Sequence, residues 1–380
     1  MADSAEMVAV PQRVRVWDAP TRTFHWLLAS SFLGEWLTRD ARYTEWHVFL
    51  GYLIAALIVF RVAWGFVGTR WARFKSFTYS ARVIVRYLGF VLRGRAAHYV
   101  GHNPAGSVAI YALLLLAAGA VVTGMLVLGG ANQHGPFAAS IDYRGADLAR
   151  EAHELIAWSM LVLVLLHIAG VAAGSLIDRE NLVRAMITGR KRHVSEAAVA
   201  ARIGVSALMA IATAGSAAWY FRGHFSSTQD RPYLPFAIPA LAADASWTTE
   251  CKDCHLAYHP SLLPARSWSA LFDGQTDHFG EDLGLDQDVV AHLRAFAVAH
   301  SAEHHESNAA WHIDRSVPAN EAPTRITDTR YWKHEHEDLR DELKRVSGFD
   351  CGGCHVDAVD GTFQPGAIII GTATTKATRK

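Results

Sequence analysis

Two short stretches of this chain set a pair of thiols beside an imidazole: CKDCH, with Cys251, Cys254 and His255, and CGGCH, with Cys351, Cys354 and His355. In Cys-x-x-Cys-His the thiols can form thioethers to the vinyl groups of a haem while the adjacent imidazole ligates its iron. The two motifs use all four cysteines of the chain, which makes coincidence a poor account. Paired Cys-x-x-Cys also suits zinc, but these pairs stand 100 residues apart and each runs directly into a histidine. Disulfides in an oxidising compartment would leave both histidines unexplained. The sequence therefore predicts two covalently bound c haems, with His255 and His355 as proximal ligands. An electron-carrying haem takes a second axial ligand, usually methionine or histidine. The last methionine is Met209, so beyond it histidine must serve unless a position stays open. Without methionine ligation the reduction potentials should be comparatively low.

The elements that hold these motifs divide sharply. Formal charge balances at 36 basic and 36 acidic side chains, which gives no reason to expect nucleic acid as a partner. Nearly every long apolar run lies in the first 220 residues, and the last 160 are polar and histidine-rich. Five runs, at 22–38, 46–67, 106–129, 153–177 and 198–221, approach the ~20 residues needed to cross a bilayer in contact with membrane lipid. The first is short and contains Glu35. Arginines and lysines concentrate between runs two and three and after run four, which predicts those loops and the N-terminus to be cytoplasmic. Residues after Phe221 are then periplasmic. No cleavable signal peptide is evident, so the first membrane helix is expected to direct export. The expected fold is all-α. The expected divisions are a membrane four-helix bundle at 1–195, a fifth anchoring helix at 196–222, a linker at 223–246 and a mostly helical, loop-rich haem domain at 247–380.

Within the membrane half, His25, His47, His153 and His167 fall in the apolar runs. A polar ring in hydrocarbon is expensive and commonly functional, though a single one can simply bond a neighbouring helix. Depth separates the cases. The predicted topology puts His47 and His153 near the outer side and His25 and His167 near the inner side. Fourteen residues separate His153 from His167 in HELIAWSMLVLVLLH. That interval is about 40° short of four helical turns and ~21 Å of rise, so both rings share one face. One helix can thus give a ligand to each of two stacked sites, the arrangement expected of two b haems. Ala117, Ala118, Gly119 and Gly124 would let a helix pass close to a flat macrocycle, although helix packing alone also explains them. A proton relay is the rival reading, and it would want carboxylates between the two histidines, where none lies beyond Glu154. The tracts HSAEHH and HEHEDLRDELKR suggest metal buffering or, more simply, solvated helix surface. No phosphate-binding loop or serine-histidine-acid arrangement stands out.

VWDAPTRTFHW, the histidine of EWHVFLGY, GHNPAG and HELIAWSMLVLVLLH resemble the bacterial cytochrome b-561 family, which includes the b subunit of nickel-iron hydrogenases, over about residues 13–195. The resemblance implies a four-helix module with two b haems, His25 and His167 holding the inner iron and His47 and His153 the outer. ECKDCHLAYHPSLLPARSW, DHFGEDLGLD, RITDTRYWKHEHEDL and CGGCH are similar to the small dihaem cytochrome c family over about residues 247–360. That likeness implies two bis-histidine c haems with His278 and His336 as distal ligands. His334 stands beside His336, so the choice between them is open, as is which distal ring serves which haem. Together the resemblances imply a tetrahaem electron carrier of the bacterial inner membrane, with the quinone pool as donor and a periplasmic haem protein or reductase as acceptor. Two alternatives stand beside it. One is an electron-transfer subunit of a larger complex such as a hydrogenase. The other, disfavoured by the surplus of histidines, is a periplasmic-face oxidoreductase acting on superoxide or a small oxidant. The sequence does not fix oligomeric state.

Overall fold

The computed structural model of the chain describes residues 13–40, 43–95, 97–138, 140–192, 196–226, 235–236, 244–252, 254–339, 351–364 and 367–368. The chain forms two compact units, Met1–Gly124 with Arg150–Ser226 and Met125–Ala149 with Ser227–Lys380. Among the described residues the fold is helical apart from one two-stranded ribbon and two isolated bridges.

In the first unit, β1 (Val14–Arg15) leads into α1 (Ala19–Leu37), α2 (Thr44–Val67), α3 (Ala81–Leu92), α4 (Pro104–Asn132), α5 (Tyr143–Ile177), α6 (Leu182–Thr188), β2 (Arg190–Lys191) and α7 (Ile203–Tyr220). β1 pairs antiparallel with β2. The WDAP signature explains where α1 begins. Asp18 caps it by accepting from Thr21 N at 2.8 Å, and Pro20 fits the first turn, where no amide partner is needed. The other carboxylate oxygen of Asp18 accepts from Trp64 Nε1 at 3.1 Å and Thr69 Oγ1 at 2.6 Å, which ties the start of α1 to the end of α2. Asn103 does the same work in GHNPAG, accepting from Gly106 N at 2.7 Å where α4 starts.

Among the described residues, four helical runs are long and apolar enough to cross a membrane: Thr44–Val67, Pro104–Asn132, Tyr143–Ile177 and Ile203–Ser226. α1, with 19 residues, packs along α2 and α7 but is less apolar, as expected of a run that carries His25 and Glu35. Ile54, Ala117 and Met160 form a buried strip joined by Leu28, Phe32 and Val164, so α1, α2, α4 and α5 all meet there. The faces turned away from that strip are themselves apolar, with Leu115 at 75% and Leu166 at 63% exposure, as a hydrocarbon surrounding requires. α5 starts ten residues before the expected His153, because YRGADLARE contains no proline and hydropathy alone cannot see a polar first turn. With 29 and 35 residues, α4 and α5 are about 44 and 52 Å long, well beyond a ~30 Å hydrocarbon core. Their adjoining ends, Met125–Ala149, fold with the second unit.

That second unit adds α8 (Ala245–Lys252), α9 (Ala265–Asp273), α10 (Gln287–Ala299), α11 (Asn308–Ser316) and α12 (Arg330–Glu335). One core gathers Trp247, Leu263, Trp268, Phe272 and Leu293; another gathers Leu262, Ala302, Ala310 and Ile313 with Tyr258, Tyr331 and Phe363. Trp268 Nε1 donates to Pro260 O at 2.7 Å, so a buried indole satisfies its one donor. Within this unit the 125–149 segment is held by Glu306, whose Oε2 accepts from Tyr143 N at 2.7 Å and whose carbonyl accepts from Gln133 Nε2 at 3.0 Å. Most of the expected linker at 223–246 lies outside the described residues.

Asp18→Ala removes a cap and strands two side-chain donors at once. It should cost about 2–4 kcal/mol of stability, read as a lowered thermal unfolding midpoint of the detergent-solubilised chain relative to wild type.

Candidate functional site

Each of the eight histidines singled out as axial groups stands opposite another of the eight. In the first unit His25 of α1 faces His167 of α5 with ring centres 6.4 Å apart, and His47 of α2 faces His153 of α5 at 6.0 Å. In the second, His255 faces His278 at 6.3 Å and His336 faces His355 at 6.2 Å. Two imidazoles bound to one metal through bonds of ~2 Å, each with its ring centre roughly 1 Å behind the ligating nitrogen, stand about 6 Å apart. All four gaps match that figure, and they are too wide for rings in direct stacking contact.

The other ring nitrogens show how the rings are aimed. His153 Nδ1 donates to the carbonyl of Ala120 at 3.0 Å and lies 3.1 Å from Thr123 Oγ1, leaving Nε2 for a ligand role. Gly124 makes room for this ring, since a Cβ there would lie 3.3 Å from His153 Cε1. His47 Nδ1 lies 2.6 Å from Glu35 Oε2. His255 Nδ1 donates to Leu256 O at 2.7 Å, with its ring stacked on Tyr258. His336 Nδ1 donates to Trp332 O at 2.9 Å, and its ring stacks on Trp332 at 4.5 Å. Such bonds from the far nitrogen fix tautomer and orientation in metal-binding histidines. His25 Nδ1 and His355 Nδ1 are buried without a protein partner.

Local structure accounts for where His278 and His336 stand. In DHFGED, Asp277 Oδ1 accepts from Gly280 N at 2.9 Å, and the chain turns through positive φ at Phe279 (59°) and Gly280 (104°). The guanidinium of Arg325 lies 4.1 Å over the Phe279 ring, holding that strained turn. His278 is thereby presented towards His255. Burial first, and then His255, push the His278 pKa below the ordinary imidazole range, favouring the neutral ring that a metal needs. Burial does the same for His355, opposed by Asp357 and aided by His336. His336 ends α12, whereas His334 is exposed and takes no part in a ring pair.

None of the four cysteines forms a disulfide. Burial, then Glu250 and Asp244, push the Cys251 thiol up to about 11, so it stays protonated rather than presenting a thiolate to zinc. Among the described residues no three His, Cys, Asp or Glu side chains converge as a metal cage. The residues present therefore fit a group held between two imidazoles rather than a compact ion. Sequence reasoning noted Glu35 only as a blemish in a short span. An acid inside a membrane run was itself the signal that it has a partner.

Residues 16–189 match the sequence model of prokaryotic cytochrome b561, and residues 247–363 match that of dihaem cytochrome c. The chain is 27% identical over 225 residues to a probable Ni/Fe-hydrogenase B-type cytochrome subunit of Azotobacter chroococcum, covering 49% of this chain and 92% of that one. A probable Ni/Fe-hydrogenase B-type cytochrome subunit of Bradyrhizobium diazoefficiens is 24% identical over 223 residues, 50% of this chain and 90% of that one. Among solved structures, the diheme cytochrome c of Rhodobacter sphaeroides is 33% identical, covering 33% of this chain and 100% of that one with a TM-score of 0.30. A diheme cytochrome c of Shewanella baltica is 26% identical, covering 34% and 94%, with a TM-score of 0.27.

The ring pairs separate His336 from its neighbour. His334→Ala should leave the low-spin electron paramagnetic resonance spectrum of the purified chain unchanged, and His336→Ala should convert one low-spin signal to high spin. The reverse result would exchange their roles.

Proposed function

From a chain that belongs to the prokaryotic cytochrome b561 family through residues 16–189 and to the dihaem cytochrome c family through residues 247–363, we propose a tetrahaem carrier that moves electrons across the bacterial inner membrane between the quinone pool and a periplasmic haem protein or reductase. The observation that carries this reading is the set of four ring pairs at 6.0–6.4 Å. Haem, when bound, supplies a one-electron iron couple whose potential depends on axial ligands, hydrogen bonds and burial.

The chain supplies the rest. His25 with His167 and His47 with His153 would hold two b haems, and α5, giving one ring to each, keeps them ~21 Å apart along its axis. His255 with His278 and His336 with His355 would hold two c haems, tethered by Cys251 and Cys254 and by Cys351 and Cys354. Two imidazoles at every site would both be available to hold an iron, which suits electron passage and would leave no coordination place for a substrate. Ala120 and Trp332 take the far-side N–H of one ring at each of two sites, so those rings keep their aim whatever the oxidation state. In this reading α1 and α7 complete five spans, the basic loops lie in the cytoplasm and the c domain lies in the periplasm. The length over which this chain matches hydrogenase b-type subunits favours a second reading, in which it serves as the electron-transfer subunit of a hydrogenase-like complex. Copurification of a second polypeptide from mildly solubilised membranes would favour that version.

A pyridine haemochrome spectrum of the purified chain should show two b and two c haems, and absence of any b component would overturn the membrane assignment. In His153→Leu one b haem should be lost. Reduction of the c-type bands by a quinol analogue, seen in wild type, should then fail in that variant; unimpaired reduction would mean that electrons bypass the bundle.

A further inference from the structure

Two ionisable side chains of opposite sign stand in the membrane bundle at the depths of its two ring pairs. On α2, Arg61 follows His47 by fourteen residues, the interval that separates His153 from His167 on α5. Arg61 therefore shares the His47 face of its helix and lies ~21 Å further along it, level with the His25–His167 pair. It is 3% exposed, and its Nη1 is buried without a partner. Its guanidinium lies 4.9 Å over Phe74 and 5.7 Å over Phe77, whose ring is 4.6 Å from His102. A second buried cation, Lys191 at 4% exposure, is near enough to act electrostatically on His102. The nearest carboxylate in the field of Arg61 is Asp18, already engaged by Thr21, Trp64 and Thr69. At the other end the sign is opposite. Glu35 Oε2 lies 2.6 Å from His47 Nδ1, with the acid side chain 15% exposed.

We propose that Glu35 and Arg61 are positioning residues that split the midpoint potentials of the two b sites, the His47–His153 site being the lower and the His25–His167 site the higher. The inference rests on the tetrahaem reading and adds an energetic direction to it. A carboxylate against an axial imidazole favours the more positive oxidised iron and lowers the potential; a buried cation disfavours it and raises the potential. The transfer moves one electron, oxidising one ferrous site and reducing one ferric site, with no bond or proton changing hands. It runs downhill from the His47 end to the His25 end. Delivery in the opposite sense climbs between these sites and must be drawn by the partner that finally accepts the electron.

Potentiometric titration of the b-type bands in the full-length haem-loaded chain tests this. Glu35→Gln keeps an oxygen and removes the charge. It should raise the lower b midpoint and leave the upper one and both c midpoints in place. Arg61→Gln should lower the upper b midpoint, and Arg61→Lys, which keeps the charge, should not. Each neutral variant narrows the gap. The proposal is overturned if neither midpoint moves, if Glu35→Gln moves the upper one, or if Glu35→Gln simply loses b haem, which would make its role structural. Haemochrome counts on the same samples keep the two readings apart: a wild type without two b haems defeats the tetrahaem assignment itself.

Discussion

Everything in this molecule is organised around a gap of about 6 Å between facing imidazoles. Helix axes in close contact lie ~8–10 Å apart, and rings projecting from such helices would ordinarily meet or interdigitate. Holding two of them short of contact requires backbones set by something other than the rings. In the membrane unit the buried strip of Ile54, Ala117 and Met160 sets that spacing, lying between the two ring pairs along the bundle. Glycine at 124 then allows α4 to pass the His153 ring at van der Waals distance. In the second unit the same gap is made by short turns and six- to thirteen-residue helices, whose two modest cores bury little by themselves. Covalent tethering suits such a scaffold, because a small domain with divided cores gains from a staple.

The membrane half was largely legible in the sequence because its chemistry and its periodicity coincide. His153 and His167 fall on one face of one helix by arithmetic, and loop charge supplies the depth of the other two rings. Asp18 with Pro20 and Asn103 with Pro104 are start signals of known mechanism, which place α1 and α4 a few residues ahead of the apolar runs expected from 22 and 106. What escaped notice were residues whose meaning depends on tertiary contact. Glu35 read as a boundary problem and Arg61 went unremarked in an apolar run, because hydropathy averages them away. The long polar start of α5 was hidden for the same reason.

In the C-terminal half the Cys-x-x-Cys-His motifs were plain, while the rings that face their histidines were not. Ten histidines beyond Phe221 compete there, and nothing in local spacing ranks them. The geometry does so by aim. Trp332 stacks on His336 and accepts its N–H, while His334, two residues earlier, points away into solvent. His278 owes its position to a turn with two residues at positive φ, one of them a phenylalanine, which no propensity scale would favour. Strain of that kind persists only where surrounding contacts hold it, and here Arg325 over the Phe279 ring is the visible restraint.

Buried charge is the costliest feature of the bundle, and its placement follows from the same gap. A carboxylate or guanidinium taken out of water loses several kcal/mol unless something answers it. Neither Glu35 nor Arg61 is answered by an aligned ion pair with the other: helix geometry sets them about four turns apart in depth. Glu35 instead lies against His47, and Arg61 stands at the depth of the other ring pair; in the tetrahaem reading an oxidised site near each would be electrostatically coupled to it. Glu35 is favoured by that charge, and Arg61 is opposed by it but cushioned by the faces of Phe74 and Phe77. If the charges served only the fold, a neutral pair of apolar side chains would fill the same volume at lower cost. In the tetrahaem reading, one charge of each sign at the two depths is what an electron carrier with unequal stations requires.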